Sequence, residues 1–228
     1  MLKNLASSAV LAGVLTCLIA SALQFAFVIP LVLEGELYET GVRIHFPVDG
    51  SPQSDAGAPA LGNDWGRHMM TVGFNFVSFT AYGMILVAAM AFAALKGVEL
   101  TPRKGLLWGM AGFIVVQLAP ALGLPPELPG TIGAEILPRQ IWWAGTILAS
   151  AVGLGLIAFG QGALLAVVGA LLMLLPHAIG APHLDTYFGV SAPELSAEFA
   201  TRSLGVAAAG WVVLGFFSAL FYTRAEEV

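Results

Sequence analysis

Charge is scarce in this 228-residue sequence: 10% of it is charged, while 58% is hydrophobic. A soluble domain carries about 25% charged residues, so too few polar side chains exist here to clothe a surface facing water. A disordered chain is excluded by the opposite measure, because disorder needs low hydrophobicity. Basic residues are scarcer than acidic ones, nine against fourteen, which leaves no basic footprint for a nucleic acid. Cysteine is almost missing. Cys17 alone permits neither an intramolecular disulfide nor a CxxC metal or redox motif. No Walker A run, HExxH or GxSxG occurs, so P-loop ATP hydrolysis and the familiar catalytic arrangements have no residues to carry them. No enzymatic activity is expected. An integral membrane protein is what these absences leave.

What is present is apolar sequence in long runs. A membrane helix needs about 20 mostly apolar residues to cross ~30 Å of hydrocarbon. Six runs free of Asp, Glu, Lys and Arg reach that length: 5–33, 71–95, 105–124, 141–159, 163–182 and 204–223. They lack the alternation of a β-barrel strand, so the expected fold is all-α, a polytopic membrane bundle of six transmembrane helices in one domain, 1–228. The small residues Ala20, Ser21 and Ala22 have the form of a signal-peptide cleavage site. The uncharged stretch continues far beyond the ~7–15 residues of a signal-peptide core, so a retained helix is expected, with Cys17 packing inside it.

Six spans put both termini on one side of the bilayer. That side carries Lys3, Lys96, Arg103, Lys104 and Arg224 on short segments, against Arg43, Arg67, Arg139 and Arg202 spread over longer ones. The density of positive charge favours cytoplasmic termini. The outer side then holds eleven of the fourteen carboxylates, a surplus that would concentrate cations. Its longest segment, 34–70, contains turn residues without periodicity and reads as an irregular outer loop.

Glycine numbers 27. Gly105, Gly109 and Gly112 make a small-residue stripe suited to close helix packing, and Trp108, Trp142, Trp143 and Trp211 fall near span ends as an aromatic belt would. Two segments interrupt the helical pattern. Residues 119–130 hold four prolines, and 175–183 hold Pro176 and Pro182; proline supplies no N–H and clashes with the preceding turn. Irregular backbone at membrane depth is tolerated only where protein or a wet cavity surrounds it. Both interruptions lie toward the outer side.

All four histidines fall on that side too: His45, His68, His177 and His183. Near them stand Glu127, Glu135, Asp185 and the cluster Glu34, Glu36 and Glu39. Imidazole and carboxylate suit divalent transition ions, which makes His177, His183, Glu127, His68, His45 and Asp185 the candidate metal ligands. Four of them have a plainer alternative. His45 and His183 read equally as solvated loop side chains, His177 as a partner for a carbonyl freed beside Pro176, and Glu127 as a partner for Arg139. Met69 and Met70 could add soft sulfur ligands or simply pack. The mid-span polar residues Gln24, Asn75, Ser78, Tyr82, Gln117 and Thr146 are neutral. Asn75, Ser78 and Tyr82 share one helical face, to line a path or to bond across helices.

The interrupted segments resemble a known family. WGMAGF (108–113), LAPALGLPPELPG (118–130), RQIWW (139–143), LPHAIGAP (175–182) and VIPLVLE (28–34) are similar to the CbtA family of cobalt transporter subunits, from the first span to the last. The resemblance implies a multi-pass subunit of the bacterial inner membrane that supplies cobalt for cobalamin synthesis. It also implies a partner, CbtB, a small single-span protein with a histidine-rich metal-binding end. No cofactor is implied, and Co²⁺ or another divalent transition metal would be the cargo. His45 is the only histidine of residues 43–50, which places the expected ligation on His177, His183 and the carboxylates. A non-transporting assembly or scaffold subunit is the alternative function.

Overall fold

The computed structural model describes residues 2–186 and 188–226. Every regular element among the described residues is helical: α1 (Leu2–Phe27), α2 (Ile29–Glu39), α3 (Trp65–Leu95), α4 (Pro102–Phe113), a π-helical turn (Ile114–Leu118), α5 (Ala119–Ala121), α6 (Ile136–Phe159), α7 (Ala163–Ile179) and α8 (Pro193–Glu226). Five stretches are long and apolar enough to cross a membrane: Lys3–Phe27, Trp65–Leu95, Pro102–Ala121, Ile136–Phe159 and Pro193–Ala225. The sixth apolar helix, α7, has 17 residues. At 1.5 Å per residue it reaches about 25 Å. The architecture is the expected polytopic helix bundle, built from five long helices and a shorter one.

Several boundaries differ from the uncharged runs. The run 5–33 is two helices joined at Val28, because Pro30 stands in the first turn of α2 and cannot donate a backbone bond. Helix α2 then continues to Glu39, so Glu34, Glu36 and Glu39 are helical and the irregular segment is confined to 40–64. Helix α3 starts at Trp65, where the Asp64 side chain accepts from Arg67 N at 3.0 Å. This is a side-chain N-cap that satisfies an otherwise unpaired donor. Charged residues flank the apolar core of α6 and α8 in the same way, so both begin before their uncharged runs.

Proline interrupts less than expected. Residues 114–118 form a π-helical turn directly before Pro120, and the helix survives to Ala121. A π turn widens the ring where an α turn would press the proline ring against the carbonyl four residues back. Pro176 likewise lies within α7, which ends only at Gly180, with φ +88°.

By its contacts the chain divides into two compact units. One comprises the residues to Ala26, Gly62–Phe113 and those from Gly205 onward; the other comprises Phe27–Leu61 and Ile114–Leu204. In the first unit, α4 crosses α8 through the expected glycines. A Cβ on Gly105 or Gly109 would strike the backbone carbonyl of Gly215 or Trp211. Ala9, Val87 and Tyr222 form a buried cluster joining α1, α3 and α8, beside an Asn4 Nδ2 to Ala225 O bond of 2.8 Å. Asn75 donates to Ser21 Oγ at 3.0 Å and to Gln24 Oε1 at 2.8 Å, so it bonds across helices. The Cys17 thiol is free and buried.

In the second unit, α6 and α7 form a hairpin whose backbones meet at Gly153 and Gly169. A separate cluster buries Leu31, Tyr38, Leu128, Leu195 and Phe199. Leu128 thereby pins the proline-rich segment onto α2 and the first turns of α8, which gives the irregular chain around Glu127 a defined position.

Candidate functional site

In the second unit the irregular chain 122–135 borders a cavity of about 690 Å³. Pro125, Pro126 and Pro129 prevent a helix there, since each fixes φ and lacks a donor. Gly130 sits at φ +80°, where a side chain would be strained. Glu127 and His183 both line the cavity, together with Arg139, Thr131, Phe188 and Ser191. Arg139 projects from the first turns of α6, and its Nη2 donates to Glu127 Oε2 at 2.7 Å. The guanidinium lies against Gly133, where an added Cβ would displace Nη1. Glu127 is thus the partner of Arg139, one of its two sequence readings, and it is also a cavity residue. Both side chains keep about a third or less of their surface exposed.

The remaining candidates are placed elsewhere. His177 is half-buried, its ring 5.8 Å from that of Trp142 and edge-on to it. Trp142 is itself buried and donates Nε1 to the Pro176 carbonyl at 3.0 Å, while its six-membered ring abuts Gly123. It ties α6, α7 and the proline-rich segment together. The expected aromatic belt therefore loses Trp142, and it loses Trp211, which is 4% exposed against α4; both face inward at their helical registers. Trp143, at the next position, is 43% exposed. Asp185 is exposed beyond His183.

His45 lines a second cavity of about 420 Å³ with Tyr38, Arg43 and Val190. Gln53 Nε2 reaches His45 Nδ1 at 3.2 Å and the His45 carbonyl at 2.6 Å. His68 belongs to the other unit, where it packs edge-on against Phe25 and Trp65. Among the described residues no three His, Cys, Asp or Glu side chains form a group that could hold a metal ion. Glu127 and His183 are the pair that shares one cavity.

Part of the acidic surplus has a local task. Glu34 is 6% exposed, and its Oε1 accepts from Arg43 Nη1 at 2.8 Å and from Gly57 N at 2.8 Å. One buried carboxylate thus ties two points of the 40–64 segment to α2. In the same segment, the Ser51 hydroxyl and amide beside Asp49 hold its carboxyl below the usual carboxylate range.

Sequence reasoning did not assign Arg139 to a cavity wall or Trp142 to a junction. The signal for Arg139 was its position ahead of an apolar helix and near an acid on an irregular segment. Trp142 gave no comparable signal, because a tryptophan near a span end reads as a belt residue whichever way it faces.

No curated protein and no solved structure matches the chain. A family model described as probable cobalt transporter subunit (CbtA) matches residues 2–223, nearly the whole length. With apolar helices of membrane-crossing length and a match of that extent, the chain belongs to the CbtA family of cobalt transporter subunits.

Proposed function

We propose that the protein is the membrane-spanning subunit of a Co²⁺ uptake system of the bacterial inner membrane, with both termini in the cytoplasm. The observation that carries this reading is the shared cavity of Glu127 and His183 beside the proline-rich segment, in a chain whose family is one of cobalt transporter subunits. Carboxylate and imidazole are ligands of the right hardness for Co²⁺. With few protein ligands in reach at once, binding stays weak enough for release, as conduction requires. His177, steadied by Trp142, is the next contact in this scheme. His45, His68 and Asp185 act as further contacts of the outer side, and a CbtB-like single-span protein with a histidine-rich end delivers the metal. The protein acts without catalysis or a bound cofactor.

The test is the initial rate of radioactive cobalt uptake in cells expressing the chain with its partner. His183→Ala and His177→Ala are each expected to lower that rate by about ten-fold, the lower end of what loss of a metal-site group costs. Rates equal to the unmodified protein would remove both residues from the path.

A further inference from the structure

The cavity offers a bare cation no net attraction from formal charge. The formally charged side chains on its lining are Glu127 and Arg139, and they are paired at 2.7 Å. An entering cation would meet a carboxylate already neutralised and a guanidinium that repels it. Arg139 meanwhile commits Nη2 to Glu127, and no other acceptor engages its Nη1 or Nε among the described residues. Ser191 Oγ, on the same wall, is buried and has no partner among the described residues. Unmet donors around a guanidinium recognise carboxylates.

We propose that this cavity receives the metal as a complex with a small carboxylate-bearing chelator, of zero or negative net charge. Arg139 binds a carboxylate of the chelator, and His183 faces the metal as an exchangeable ligand. The proposal rests on the cobalt-transport reading above and names the form of its cargo. Glu127 then serves to hold Arg139 in place more than to capture the ion.

The experiment measures binding of radioactive cobalt to the full-length chain in lipid nanodiscs. Cobalt is offered as the aqua ion, as its citrate complex and as its histidine complex. The unmodified chain should bind at least one complex about ten-fold to a hundred-fold more tightly than the aqua ion, the scale of a hydrogen bond to a charged group. Arg139→Gln should abolish that preference, and Arg139→Lys, which keeps the charge, should retain part of it. Thermal melting of each variant establishes that it is folded; where Arg139→Gln does not fold, Arg139→Lys and Ser191→Ala carry the comparison. Preference for the aqua ion in the unmodified chain, or a preference for the complexes that survives undiminished in a folded Arg139→Gln or Arg139→Lys variant, overturns the chelate proposal and leaves cobalt transport standing. Binding of no form by a cooperatively melting chain overturns both.

Discussion

Glu34 shows what a single buried charge does here. Its carboxylate is almost wholly covered and satisfied by Arg43 and by the Gly57 amide. Removing one partner of such a pair leaves the other charge uncompensated, at up to about 3 kcal/mol, whereas neutralising both together costs much less. Arg43→Ala is therefore expected to lower the melting temperature and speed proteolysis within 40–64. Glu34→Gln combined with Arg43→Gln should recover most of the loss, because the amide oxygen can still accept from Gly57 N. Equal stability of Arg43→Ala and the unmodified chain would contradict this. At this scale the sequence was partly legible. Glu127 was readable as a partner of Arg139, since an acid and a guanidinium flanking one helix start have few other places to go. The burial of Glu34 was not readable, because an uncharged-run criterion ends a helix at its first carboxylate.

Helices meet here through absent side chains. Gly105 and Gly109 of α4 face the backbone of α8 so closely that any Cβ would overlap a carbonyl. Gly109→Ala should thus destabilise by about 1–3 kcal/mol, the usual range for overpacking. Gly145→Ala on α6, where nothing lies within 4 Å, should be neutral or gain up to about 1 kcal/mol from helix propensity. Denaturant titration of the two variants in detergent, followed by tryptophan fluorescence, measures the contrast, and similar midpoints would refute the packing assignment. The stripe Gly105, Gly109 and Gly112 announced this contact, because small residues at helical spacing have few other uses in lipid. Proline was the less reliable guide. Pro120 follows a π turn and Pro176 stays inside α7. Trp142 adds a bond from another helix to the Pro176 carbonyl, which also accepts from Gly180 N.

For the molecule as a whole, the asymmetry of Lys and Arg predicts cytoplasmic termini. A fluorescent protein fused after Val228 should fold and glow, and a periplasm-dependent phosphatase inserted near Gly57 should be active. The reverse pattern would invert the assignment. The helical class and most spans were legible because apolar length alone determines membrane crossing. The cavity was not, since 122–135 has no periodicity, and its course depends on where Leu128 packs among residues far away in sequence. Cys17, with its thiol hidden at 3% exposure, has a practical corollary at this scale. A maleimide reagent applied to the native fold should find no target, so any thiol engineered onto the wall beside Thr131 becomes the sole reactive handle. Its labelling rate, with and without cargo, would then report occupancy one position at a time.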